Sequence, residues 1–96
     1  MRKYETMIIL KSGLEEEARK TVLEGLLEIL KTNGATIADV NEWGSREFAY
    51  EINFEKRGYY VVVTYTTDKV EVNAEFERLC EINPNVVRQI IVALPE

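Results

Sequence analysis

Apolar residues recur with a period of two in four segments of the chain, which predicts four β-strands. These segments cover residues 3–11, 35–53, 59–67 and 86–94. The third is rich in aromatic and β-branched residues, which favour strands. The second loses strict alternation, and Gly44 predicts a bulge or bend within it. A polar turn at residues 55–58 is predicted to join the second and third strands into a hairpin.

Two further segments repeat apolar residues at helical spacing. The first follows Ser12 and Glu15, which have the spacing of a capping box, and it extends to about Asn33. The second follows Asp68, predicted as its cap, and extends to about Ile82. The apolar stripes are Ala18, Val22, Leu23, Leu26, Leu27, Ile29 and Leu30 in the first helix and Val72, Phe76, Leu79 and Cys80 in the second.

The order strand-helix-strand-strand-helix-strand predicts a single domain over residues 1–96. Two right-handed crossovers give an α+β, ferredoxin-like split βαβ arrangement (βαββαβ), a four-stranded antiparallel sheet with both helices on one face. The expected order in space is fourth, first, third, second strand. The other face of the sheet is then left without a covering layer.

This uncovered face is predicted to carry an apolar patch that binds a protein or RNA partner. The prediction assumes that Tyr60 and Val62 point toward the helices. The side chains assigned to the patch are Met7, Ile9, Tyr59, Val61, Val63 and Tyr65. The alternative is that these side chains stack on one another and stay partly hydrated.

The composition removes most enzyme mechanisms. The chain has no histidine and one cysteine, Cys80, which excludes histidine-dependent catalysis, an internal disulfide and cysteine-cluster metal sites. No calcium loop or phosphate-binding glycine loop is present, so neither a metal nor a cofactor is expected. No apolar run has the length of a membrane helix, and no signal-peptide core follows the basic start, so a cytoplasmic protein is expected.

The net charge of −5 opposes unaided binding to nucleic acid. Several cations could nevertheless contact phosphates, while Tyr50 and Tyr59 could stack on unpaired bases and Trp43 could stack or pack. Ordinary solubilising charge is the alternative for each cation, and no motif typical of RNA-recognition domains is present. The candidate cations are Arg2, Lys3, Arg46, Lys56, Arg57 and Arg88.

Four stretches together resemble the bacterial small-subunit ribosomal protein six family. They are Met1-Arg2-Lys3-Tyr4-Glu5-Thr6-Met7, Trp43-Gly44-Ser45-Arg46-Glu47-Phe48-Ala49-Tyr50-Glu51-Ile52, Arg57-Gly58-Tyr59-Tyr60 and Ile82-Asn83-Pro84-Asn85-Val86-Val87-Arg88. The resemblance implies a structural, non-enzymatic protein of the small ribosomal subunit. It also implies a heterodimer with small-subunit ribosomal protein eighteen that binds the central domain of the small-subunit ribosomal RNA during platform assembly.

By this resemblance, the RNA contacts would be made by Arg2, Lys3, Arg46, Lys56 and Arg88, with Arg57 next. The chain departs from the family at Ser45, Glu47 and Ala93, where family members often carry a basic residue. Fewer cations imply weaker phosphate contacts. We therefore expect that the partner binds first and supplies much of the attraction for RNA.

Two alternatives use the same fold. A small-molecule-sensing regulatory domain usually has glycine-bearing ligand loops, which are not evident at Ser12-Gly13. An acylphosphatase-like enzyme needs an arginine in an anion-binding first loop, and residues 11–16 are acidic and lack one.

Overall fold

The computed structural model describes residues 2–52 and 55–95, except for the side chains of residues 48–52, 55 and 56. The elements follow the predicted order. They are β1 (Arg2–Lys11), α1 (Glu16–Thr32), β2 (Thr36–Ile52), β3 (Glu55–Thr67), α2 (Glu71–Ile82) and β4 (Val86–Ala93).

The four strands form one antiparallel sheet in the order β2-β3-β1-β4. This is the predicted order and confirms the ferredoxin-like α+β fold. The pairing of β2 with β3 shifts register between Glu42 and Gly44, and Gly44 has a positive φ of 91°. The bulge predicted at this glycine is therefore present, because a left-handed backbone is unstrained only without a Cβ.

Both helices pack on the same face of the sheet, and the core lies between them and the strands. Leu26 and Leu30 of α1 and Phe76 of α2 are buried there, as their helical spacing predicts. The other buried members of this core are Tyr4, Ile8, Leu10, Leu23, Ala35, Val61, Val63, Tyr65, Val72 and Cys80. In the described part of the chain, no element covers the opposite face, which we call the open face.

The orientation predicted for β3 is wrong. Val61, Val63 and Tyr65 are fully buried in the core under the helices, and Tyr59 packs against the same core. The register explains this, because Val61 lies opposite Ile8 of β1, and residues opposite each other share a face. Tyr60 and Val62 therefore belong to the open face, which reverses the assumption made from the sequence.

The polar turn predicted at residues 55–58 is also wrong. These residues belong to β3, where Arg57 lies opposite Glu47 and Gly58 lies opposite Arg46. Charged residues suit both a turn and a hairpin that extends beyond the helices into water. The local sequence therefore did not separate the two possibilities.

Each helix begins a few residues after its predicted cap, at Glu16 and at Glu71. Glu15 precedes α1 and Val70 precedes α2, and neither makes a side-chain capping hydrogen bond. The turn before α2 is tied to the end of β3, because the Thr67 hydroxyl accepts a hydrogen bond of 3.0 Å from the Lys69 amide.

Candidate nucleic-acid and protein interface

Strand register defines which side chains form the open face. Met7 of β1 lies opposite Val62 of β3 and Ile90 of β4, and Ile9 lies opposite Tyr60. Met7 and Ile9 are thus on the open face, as predicted from the sequence, although their neighbours on β3 are not the predicted ones.

Three large apolar side chains of the open face remain exposed. The exposed fraction is 44% for Trp43, 43% for Ile90 and 53% for Val92. Ile9 and Val62 are nearly buried on the same face, because larger side chains flank them on neighbouring strands. Exposed apolar groups of this size on one surface are typical of a binding surface.

The bulge in β2 places an aromatic residue on the open face. Trp43 is the extra residue between Glu42 and Gly44, and its ring is nearly parallel to that of Tyr60. The ring centroids are 6.3 Å apart and the ring planes differ by 2°. The Trp43 indole is therefore held against Tyr60 while 44% of it stays exposed to solvent, and we call this the aromatic surface.

One end of the open face is cationic. Lys11 of β1 and Arg46 of β2 lie in one row across the sheet, each opposite Gly58 of β3. Arg88 of β4 lies opposite Ile9, close to the same end. All three cations are exposed. We call Lys11, Arg46 and Arg88 the cationic end.

A row of acidic residues crosses the open face away from the cationic end. Glu5 of β1 and Asp39 of β2 both lie opposite Thr64 of β3, and Val92 of β4 lies opposite Glu5. This acidic row is six residues along β1 from Lys11, or about 20 Å at the rise of a strand. Lys3 lies two residues beyond Glu5 on the same face and is exposed, so the far end of the open face carries charges of both signs.

The remaining predicted RNA contacts do not join the cationic end. Arg2 and Lys3 lie at the far end of β1, where they are opposite Thr67 and Thr66. Arg57 alternates to the other face of the hairpin and lies opposite Glu47. Lys56 is in β3, but its side chain lies outside the description. Of the predicted cations, Arg46 and Arg88 thus lie at the cationic end with Lys11, which the sequence analysis did not name although Lys11 alternates with Met7 and Ile9.

Tyr59 is not available to stack on a base. The Arg19 guanidinium lies 4.0 Å from the centre of its ring, and the Tyr59 hydroxyl donates a 3.1 Å hydrogen bond to Glu42. Partial burial and the hydrogen bond to the Glu42 carboxylate raise the pKa of Tyr59. These groups line a groove of about 460 Å³ between α1 and the strands. The Tyr50 side chain lies outside the description.

The described residues give no support for catalysis by a thiol or a metal. Cys80 is buried in the core, and burial raises its pKa to about 12, so it stays protonated. Among the described residues, no three His, Cys, Asp or Glu side chains are placed to hold a metal ion. The described helices also include none that is long and apolar enough to cross a membrane.

This architecture, with helices on one face of the sheet and an exposed surface on the other, is that of a ferredoxin-like interaction domain. The chain belongs to the ribosomal protein S6 family, whose model matches residues 3–93. A solved structure of 30S ribosomal protein S6 from Thermotoga maritima is 28% identical with a TM-score of 0.89. The match covers 97% of this chain and 87% of that chain.

Two other solved structures share the fold alone. The C-terminal domain of the MgtC protein from Mycobacterium tuberculosis is 11% identical with a TM-score of 0.64, over 97% of this chain and 87% of that chain. A protein from Arabidopsis thaliana is 12% identical with a TM-score of 0.56, over 100% of this chain and 95% of that chain. Family membership, by contrast, makes this chain a structural protein of the small ribosomal subunit rather than an enzyme.

Proposed function

We propose that this protein forms a heterodimer with ribosomal protein eighteen, and that the pair binds the central domain of the small-subunit ribosomal RNA during platform assembly. Membership of the ribosomal protein S6 family supports this role. The observation that carries it is the open face, which has exposed apolar groups, a cationic end and a separate acidic row.

The charge of the chain favours binding of the partner before RNA. A net charge of −5 repels phosphates, whereas a cationic partner reverses the sign of the combined surface. Each binding event then strengthens the other by the same factor, because the two equilibria are linked.

The apolar groups beside the acidic row of the open face suit a cationic protein partner. Ile90 and Val92 are exposed on the edge strand β4, and Glu5 lies beside them on β1. An interface needs an apolar centre and charges of complementary sign around it, and this region offers both. Met7 and Ile9 extend the same surface. Val61, Val63 and Tyr65 are excluded from it, because their side chains are buried in the core.

The cations supply the contacts proposed for RNA. Arg46 and Arg88 act from the cationic end of the open face. Arg2 and Lys3 act from the opposite end of the sheet, and Lys56 and Arg57 from the hairpin. Phosphate contacts of this kind position a protein on RNA without reading its sequence.

The test measures binding of central-domain RNA by this chain alone, by the partner alone and by the pair, over a series of salt concentrations. We expect tight binding only by the pair, with an affinity that falls as salt rises. Arg46→Ala should weaken RNA binding by the pair while leaving the heterodimer intact. Tight, partner-independent binding by this chain would contradict the proposal.

The protein interface is tested separately with Ile90→Asp. A carboxylate at the apolar centre should weaken heterodimer formation at least about tenfold, because a buried charge without a partner is costly. The matched control is Ile82→Asp at the end of α2, where the side chain is 67% exposed. Equal effects of the two variants on the heterodimer would mean that the partner does not use this face.

A further inference from the structure

We propose that the cationic end of the open face binds one unpaired nucleotide, whose base stacks on Trp43 while Lys11, Arg46 and Arg88 contact the flanking phosphates. This inference rests on the proposed RNA-binding function and names the part of the RNA that the site recognises. It adds Trp43 and Lys11, which are not among the RNA contacts proposed above.

The aromatic surface has the properties that stacking on a base requires. The Trp43 ring is held nearly parallel to Tyr60 and yet is 44% exposed. Bases stack on such surfaces whatever their sequence, because every base has a π-face. Tyr60 supports the indole from the neighbouring position, so little side-chain freedom is lost when a base arrives.

The backbone is adapted to hold the indole in this place. Gly44 has a φ of 91°, and a Cβ added there would meet nothing within 4 Å. A glycine is thus required by the backbone conformation of the bulge and not by lack of space. Pairing with β3 continues beyond the bulge, where Arg46 lies opposite Gly58.

The charges around the indole favour phosphate. Lys11 and Arg46 stand one strand away on either side of Gly58. Their backbones are separated by two strand spacings, or about 10 Å. Long cationic side chains at that separation can reach phosphates on both sides of a base.

Neighbouring carboxylates do not cancel these charges where side chains are described. Glu42 and Glu47 alternate to the helix side of β2, and the acidic row of Glu5 and Asp39 is at the other end of the open face. Within the described part of the chain, Lys11, Arg46 and Arg88 form no ion pair. A chain with a net charge of −5 therefore concentrates positive charge beside its exposed aromatic surface.

An unpaired nucleotide fits this surface better than a duplex. Bases within a duplex are stacked on one another, so their faces cannot contact an indole, whereas bases in loops and bulges can be splayed out onto aromatic side chains. A duplex would contact the cations alone, and no base would stack on the indole.

The first experiment uses fluorescence, since Trp43 is the single tryptophan of the chain. The heterodimer is titrated at low salt with hexa-adenylate and, separately, with a blunt RNA duplex of equal phosphate count, and the heterodimer carrying Trp43→Phe is the blank for any emission from the partner. We expect hexa-adenylate to quench Trp43 and the duplex to leave its emission nearly unchanged. Equal quenching by both, or no quenching by hexa-adenylate, would overturn the inference.

The second experiment measures RNA affinity of the heterodimer. Trp43→Leu should lower the affinity of the pair for central-domain RNA about fivefold to 100-fold, and Trp43→Phe should retain most of it, because phenyl rings also stack on bases. Lys11→Ala should lower the slope of log affinity against log salt by about 0.7, the value for one phosphate contact on a single strand. The matched control is Lys20→Ala, an exposed lysine on α1.

The outcomes separate this inference from the proposed function. If the wild-type pair binds RNA and Trp43→Leu, shown to be folded by circular dichroism, binds equally well, the inference is overturned while the proposed function stands. Loss of the heterodimer in Trp43→Leu would assign this end to the protein partner and would also overturn it. If the wild-type pair does not bind RNA, the proposed function fails, and this inference fails with it.

Discussion

The two faces of the sheet are built from the same strands but meet different surroundings. On the helix side, Ile8 and Val61 are fully buried, whereas on the open face Ile90 and Val92 are 43% and 53% exposed. Successive side chains of a strand thus point alternately into the core and onto the open face. The helix side holds the buried core of the fold, whereas the open face keeps large apolar side chains exposed.

This difference explains why the sequence predicts the wrong orientation for the side chains of β3. The strand has apolar or aromatic residues at both alternating positions from Tyr59 to Val63, so its own pattern does not distinguish the two faces. Its pairing with β1 does, since Ile8 is opposite Val61 while Met7 is opposite Val62. A strand that is apolar on both sides is typical of a sheet that binds something on its second face.

The largest expected contrast is between Phe76→Ala and Trp43→Ala. Phe76 is fully buried, so its truncation should lower the free energy of unfolding by about 3–5 kcal/mol. Trp43 is 44% exposed, and its removal should cost only about 1 kcal/mol, mainly from the lost contact with Tyr60. Urea unfolding measures both. Similar losses would mean that the open face contributes to stability as the core does.

A second contrast uses two glycines with opposite expected signs. Gly44→Ala should destabilise the protein by about 1–3 kcal/mol, because φ at this position is 91°. Gly25→Ala lies within α1, where an added Cβ meets nothing, and should stabilise the protein by about 0.5–1 kcal/mol. Thermal unfolding of both variants is the measurement. A stabilising Gly44→Ala would show that the bulge is not held in the left-handed conformation.

The buried thiol of Cys80 makes the stability of the core depend on pH in the alkaline range. Burial raises the pKa of Cys80 to about 12, so the exposed thiol of the unfolded state loses its proton at a lower pH. Its contribution to stability is full below about pH 9 and falls as pH rises toward 12, with a slope of at most about 1.4 kcal/mol per pH unit. Cys80→Ala should remove that part of the slope in urea unfolding between pH 8 and 10. An unchanged slope would show that the thiol ionises in the folded protein.

A modest effect is expected at a hydroxyl of the helix side. The Tyr65 hydroxyl donates a hydrogen bond of 2.6 Å to Oδ1 of Asn73, which ties β3 to α2. Tyr65→Phe should cost about 1 kcal/mol, the net value of one such bond. The double variant with Asn73→Ala should lose less than the two single losses added together, because both remove the same bond. Simple additivity would show that the two side chains act independently.

Much of the fold followed from periodicity, because each element buries one stripe or one side. The core positions Leu26, Leu30 and Phe76 are examples, since helical spacing alone places them on one face. The binding surface was less predictable. Arg46 and Arg88 were named as isolated cations, but only the pairing of β2, β3 and β1 shows that Lys11 belongs with them.

By itself, the sequence determined the order of the elements, the bulge at Gly44 and the family to which the chain belongs. The tertiary structure alone decided which side of β3 faces the helices, and that Lys11, Arg46 and Arg88 gather at one end of the open face. The physical reason is that periodicity is a local property of a strand. Register and charge clustering depend on residues that are distant in the chain and adjacent only after folding.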